Sequence, residues 1–275
     1  MRGEPVAGSK FGFFSRPVLV GEGPHAGKVV KVYRAVSSRS RCEDLCAHHA
    51  LHVRQLRDIG IVLPNTEMTI EPRGDQWQPI IIQDYFPPGQ MAKSRVARVA
   101  RGEALDLMQG ILQDALKALA YVEHHGDRRF GFHPTLRNYA VAAGTLNYLD
   151  TFPPMSDYCR EEVAAVVLEF VPRGLPGFLK FLGRPYLKTV IDEYFRADVM
   201  LQGIVGSTCR LRPRDSDAII SRAREIIAQA PTLADRERVL RRLARPPRLG
   251  PVWMLGRKYF ERIHARAAAN PPRCP

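Results

Sequence analysis

The segment Gly131-Phe132-His133-Pro134-Thr135-Leu136-Arg137-Asn138, followed by Leu146-Asn147-Tyr148-Leu149-Asp150-Thr151-Phe152, decides how this chain is read. Asn138 and Asp150 stand twelve residues apart, with strand-like Tyr139–Val141 and Leu146–Leu149 between them. A short hairpin built from those runs returns the chain on itself and brings both side chains out at one end. Polar side chains gathered in this way mark a candidate site. The plainer alternative makes Asn138 a turn residue and Asp150 the cap of the next segment.

Upstream, Ala104–His124 carries an apolar stripe of Leu107, Ile111, Leu112, Ala115, Leu119 and Val122, the period of a helix, and Gly126 stops it. Residues 1–10 read as a loose tail. Phe11–Ser15, Val18–Val20 and Val29–Tyr33 read as short strands, split by Gly12 and by Gly21-Glu22-Gly23-Pro24. Ser40–Ile59 reads as a helix that Gly60 ends; Ile61–Leu63, Glu67–Ile70 and Trp77–Tyr85 return to strand. Pro87-Pro88-Gly89 closes that region. From Arg160 onward the pattern is helical, interrupted by prolines. This order predicts an α+β fold with a β-rich N-lobe and an α-rich C-lobe joined near residues 83–90.

The 275 residues suit one large domain or two lobes sharing a cleft, and they can bury a core without disulfides. Five cysteines at irregular spacing (Cys42, Cys46, Cys159, Cys209 and Cys274) suggest a reducing compartment rather than a disulfide framework. Met1–Lys10 has no apolar core of a signal peptide, and no apolar run reaches membrane-spanning length, so a cytoplasmic protein is expected. The formal net charge of +13 favours anionic partners: a nucleotide, a phosphorylated metabolite or RNA. A polycationic substrate suits it poorly.

Four features in order resemble the protein-kinase-like superfamily, in its small-molecule phosphotransferase branch. Lys31, within Val29-Val30-Lys31-Val32-Tyr33, resembles the strand lysine that holds the ATP phosphates. Glu43, in the acidic pair Glu43-Asp44 of the next helix, resembles the carboxylate that orients that lysine. Ile80-Ile81-Ile82-Gln83-Asp84-Tyr85-Phe86 resembles the last N-lobe strand entering the hinge, where the backbone of Asp84, Tyr85 and Phe86 would meet the adenine edge. Asn138 and Asp150 resemble the two Mg²⁺ ligands of the catalytic loop and its following hairpin. The resemblance covers about residues 11–155 and implies a two-lobed kinase-like fold: an N-lobe over 11–86, a C-lobe with catalytic loop and acceptor pocket over 87–275, and ATP and Mg²⁺ as cofactors.

The chain departs from the family pattern at its centre. His133 stands where the catalytic aspartate is expected, five before Asn138. A neutral histidine can accept a proton near pH 7. If the site is merely degraded, restoring an aspartate at 133 should raise activity. Asp150-Thr151-Phe152 replaces Asp-Phe-Gly, and no G-x-G-x-x-G precedes Lys31; Gly12-Phe13-Phe14-Ser15 is the nearest candidate for a phosphate-covering turn. His125-Gly126-Asp127 matches the H-G-D string of aminoglycoside-type enzymes, but five residues beyond Asp127 comes Phe132, not asparagine.

Three other groupings are weighed against plainer roles. Cys42, Cys46 and His49, with His48 and His52, could hold a metal, yet no second Cys/His cluster exists and buried cysteines are more often core. Arginines 236, 238, 241, 242, 245 and 248 could meet RNA, though a solvated helix face is the commoner role. Gly177–Leu187 could lie on a membrane surface; packing around an acceptor pocket is the favoured role. The function expected is ATP- and Mg²⁺-dependent transfer to a hydroxyl of a small molecule, with catalytic residues His133, Asn138 and Asp150. A pseudokinase-like protein that binds a nucleotide or metabolite without phosphotransfer is the alternative, prompted by His133.

Overall fold

A computed structural model describes residues 3–5, 15–125, 129–170, 187–188, 190–231, 233–234 and 236–244. The fold is α+β. Five antiparallel strands, β1 (Gly3–Pro5), β2 (Arg16–Val20), β3 (Lys28–Val32), β4 (Thr66–Arg73) and β5 (Gln76–Asp84), form one sheet in the order β1-β2-β3-β5-β4. Helix α1 (Arg39–Asp58) lies between β3 and β4 in the chain. Its N-terminus is capped by Ser38 Oγ, which accepts from Arg41 N at 3.2 Å. Gly60, at φ +76°, reverses the chain after it, a conformation that L side chains resist.

The sheet has two apolar faces. Val20, Val30 and Ile80 cluster on one. Ile81 and Tyr33 pack with Leu45 of α1 on the other, together with Phe152. Because strand side chains alternate, Lys31, paired in register with Ile81, lies on that second face. Two expectations change here. Gly3–Pro5, read as loose tail, pairs with Val18–Val20. Ile61–Leu63, read as strand, is irregular: Ile61 is buried in the helical core, and Val62 O accepts from Tyr148 N at 2.8 Å, tying the segment to a hairpin outside the sheet. Residues 11–14 lie outside the described residues.

Beyond β5 the chain passes through a 3-10 turn (Pro88–Gln90) into α2 (Ala92–Arg98), a short helix not read from the sequence, and then α3 (Arg101–His124). Of the stripe predicted for α3, Ile111, Leu112 and Ala115 are buried and Leu107, Leu119 and Val122 are half-buried against the same core; Ala104, Met108 and Ala118 complete the apolar buried face. Each large side chain buried there contributes about 1.5–3 kcal/mol. They pack with α5 (Ala197–Leu211), α6 (Ser216–Ala228) and α7 (Arg236–Arg242) in one helical core. Helix α4 (Arg160–Phe170) turns Val163, Val166, Val167 and Phe170 to Tyr33 and Phe152, joining the helical part to the sheet. No helix among the described residues is long and apolar enough to cross a membrane.

Candidate functional site

The site begins with the hairpin. Strands β6 (Tyr139–Ala142) and β7 (Thr145–Tyr148) pair through the two-residue turn Ala143-Gly144, both at positive φ, as tight hairpin turns require. Leu149 N donates to Asn138 O at 2.7 Å and closes the hairpin mouth. The side chains of Asn138 and Asp150 therefore leave the same end, as their spacing predicted. The Asn138 amide nitrogen donates to Asp150 Oδ2 and to His133 O, each at 2.9 Å, and also lies 3.2 Å from His133 Nδ1.

From the sheet, Lys31 Nζ donates to Leu149 O at 2.7 Å. Burial lowers its pKa, and the nearby Asp150 carboxylate offsets part of that. Buried Gln83 also donates to Leu149 O, at 3.2 Å, while bonding Thr66 Oγ1 at 2.9 Å. Lys31, Asn138 and Asp150 thus meet around one peptide unit.

Glu43 does not join them. It lies on the exposed side of α1, with Arg39 Nε at 2.8 Å, because the helix turns its Leu45, His49 and His52 face inward. His49 is the α1 residue near Lys31: its Nε2 is 2.8 Å from Thr151 Oγ1, and burial together with the Lys31 charge pushes its pKa down to about 3. A neutral imidazole thus takes the place expected for a carboxylate. One turn on, His52 Nδ1 is 2.8 Å from Ser156 Oγ. The metal reading of this helix gains nothing: no group of three or more His, Cys, Asp or Glu among the described residues could hold an ion. Burial raises the Cys46 thiol to about 11, and Cys42 Sγ approaches Trp77 O at 3.7 Å.

At the expected hinge, Asp84 is a clasp. It pairs with Lys28 Nζ and accepts from Asn65 N at 3.0 Å. Burial alone would raise its pKa, but those bonds win and hold it below the usual carboxylate range. Tyr85 and Phe86 follow, half-buried and irregular, before the Pro88–Gln90 turn. His125 caps α3, with Nδ1 2.9 Å from Tyr121 O; Gly126 and Asp127 lie outside the described residues, as do residues 177–186 and arginines 245 and 248. Of the remaining basic run, Arg238 and Arg242 reach Asp198, and Arg236 bonds Ala228 O and Ala230 O.

His133 is held between two carboxylates. Nδ1 is 3.4 Å from Asp150 Oδ2, and Nε2 is 3.6 Å from Glu193 Oε2. Burial would lower its pKa, but hydrogen bonding and charge from Asp150 and Glu193 outweigh that and raise it to about 9. Both ring nitrogens are thus engaged by carboxylates, and neither is turned to open space. Glu193 was not legible in the sequence. It comes from the helical residues 190–195, which three contacts hold against the 131–133 segment. Phe132 N donates to Tyr194 O at 2.9 Å, the Tyr194 ring lies 4.6 Å from that of His133, and Phe195 packs on Gly131. A Cβ at Gly131 would stand 2.9 Å from the Phe195 ring and 3.1 Å from Met155 Cβ. Gly131→Ala is expected to lower stability by about 1–3 kcal/mol, read from thermal melting; an unchanged melting temperature would mean that Phe195 simply gives way.

Nothing in this arrangement is borrowed from a named relative: compared with curated proteins, the chain has no match. The site is built from residues 31–193, and all of them lie within the 1–262 that match the family of unknown function DUF6206, to which this chain therefore belongs.

Proposed function

We propose that this chain is a two-lobed, kinase-like phosphotransferase that binds a magnesium nucleotide between sheet and hairpin and acts on a hydroxyl of a small molecule. What supports the fold reading is the strand order β1-β2-β3-β5-β4 with a helix between β3 and β4, followed through a short connection by a helical layer. The observation that carries the functional reading is the hydrogen-bond inventory around Leu149. Lys31 spends one of its three donors on Leu149 O and keeps two. Asn138 spends both amide hydrogens and keeps Oδ1; Asp150 takes its bonds on Oδ2 and keeps Oδ1. Neither Oδ1 accepts a hydrogen bond from a described residue. The site thus offers oxygen acceptors for a cation beside a buried ammonium for an anion, which is what a metal–phosphate pair needs.

Those donors fit Mg²⁺, and Asn138 and Asp150 would hold it. When bound, it supplies charge neutralisation for the phosphate oxygens. Lys31 orients the phosphates, and its burial strengthens that contact by excluding water. A binder without phosphotransfer is the second reading, favoured by the engagement of both His133 ring nitrogens with carboxylates. The test is calorimetric titration of ATP, with and without Mg²⁺, into the wild type and Asp150→Asn. Mg²⁺-dependent binding weakened at least about tenfold in the variant is expected, the ~1.4 kcal/mol of one lost charged contact. Binding indifferent to both Mg²⁺ and Asp150 would sink the reading.

A further inference from the structure

We infer that Glu193 is the carboxylate that faces the acceptor hydroxyl and takes its proton, a role that His133 is not placed to fill. The inference rests on the nucleotide reading above. Nδ1 of the ring lies 3.4 Å from Asp150 Oδ2 and Nε2 3.6 Å from Glu193 Oε2, so both nitrogens face carboxylates and neither is directed at a third group. His133 is then a positioning residue. It fixes the carboxylate that lies across the ring from Asp150, so the metal-side and acceptor-side acids stand on opposite edges of one imidazole.

Three features single out Glu193. It is anchored through its neighbours, by the Phe132–Tyr194 backbone bond and the Tyr194 ring against His133, so its position is set by the same loop that carries Asn138. Among the acids of its segment it has no arginine partner among the described residues. Asp192 is neutralised by Arg160 and Arg196, at 3.2 and 3.3 Å, and Asp198 by Arg196 and Arg242, at 2.9 and 2.8 Å. Glu193 meets only His133 among the described residues, through Oε2, which leaves Oε1 to accept from a ligand. Its side chain is also 23% exposed, so a small alcohol can reach it. In the step this allows, the acceptor oxygen bonds to the γ-phosphorus of ATP. The bond from that phosphorus to the bridging oxygen breaks, its electron pair leaves on ADP, and the hydroxyl proton passes to Glu193.

The test uses Mg²⁺-ATP with water as the acceptor, comparing wild type, Glu193→Gln and Glu193→Asp for ADP release, ATP affinity and melting temperature. Glu193→Gln is expected to keep ATP affinity within about twofold and to lose about 100-fold in ADP release, the range of a single general base. Glu193→Asp keeps the charge on a shorter stem and recovers part of the rate. Unchanged ADP release in Glu193→Gln, with ATP still bound, overturns the role of Glu193 and leaves the nucleotide reading standing. ATP binding with no ADP release in the wild type also overturns it, in favour of a binder. Loss of ATP affinity in both variants makes Glu193 structural. Absence of ATP binding in the wild type overturns the nucleotide reading itself.

Discussion

Asp198→Ala is expected to lower the unfolding free energy by about 1.5–3 kcal/mol, the range of hydrogen bonds to a charged group, since the arginines left behind keep part of their contact with water. Asp198 is fully buried in the first turn of α5. Arg196 Nη2 lies at 2.9 Å, Arg242 Nη1 at 2.8 Å and Arg238 Nε at 3.6 Å from its Oδ2. Burial alone would raise its pKa, but the Arg196 hydrogen bond and the Arg242, Arg196 and Arg238 charges outweigh this and hold it low. Its stabilisation is therefore present above the unfolded carboxylate pKa and is lost on strong acidification. Without the carboxylate, α7 loses its electrostatic tie to α5, and three guanidinium groups face one another. Domains are stable by about 5–15 kcal/mol in total, so urea unfolding should show a large shift in midpoint. A loss below about 1 kcal/mol would mean that these arginines behave as a solvated surface. The same contacts bear on the RNA expectation: Arg238 and Arg242 are turned to an internal carboxylate, which leaves less of the basic run to contact phosphates.

His133→Gln should cost stability in a pH-dependent way. His133 has its folded pKa raised from 6.5 to about 9. The folded state thus holds the proton more tightly than the unfolded chain, and the stabilisation is complete below about pH 6.5 and lost as pH rises through about 9. The shift corresponds to about 3 kcal/mol. With chelator present and no nucleotide, the wild-type advantage over His133→Gln should be about 3 kcal/mol near pH 6 and should fade above pH 9. A constant difference across that range would mean that His133 is neutral in the folded protein. His133→Asp tests the same point more severely. On the sequence, an aspartate at 133 should raise activity if the site is merely degraded. In the folded protein it would set a third carboxylate between Asp150 and Glu193, so it should be the least stable of the three at pH 7.

What could be read locally was read correctly where one segment carries both the signal and the constraint. The stripe of α3, the Ser40–Ile59 helix ended by Gly60 and the hairpin uniting Asn138 with Asp150 are each short-range patterns. Glu43 failed for a related reason. The sequence places a helix there, but Glu43 and His49 lie on different faces of it, and only packing against Thr151 decides which face turns inward. The sequence offers His49 as a metal-ligand candidate; its actual partner is a hydroxyl 102 residues away. Gln83 carried a faint signal, a polar residue ending the Ile80–Ile82 run, and its buried bond to Leu149 O explains it.

The sequence by itself determined the α+β class, the helices α1 and α3 and the meeting of Asn138 with Asp150. Periodicity, turns and hairpin closure act over a few residues, and the chain cannot evade them. The tertiary structure alone decided that His133 is flanked by Asp150 and Glu193, that a neutral His49 rather than Glu43 stands near Lys31, and that part of the basic C-terminal run is spent on Asp198. Charge state and role depend on burial and on which groups lie within a few ångströms, and those neighbours come from segments tens of residues apart that no local pattern links.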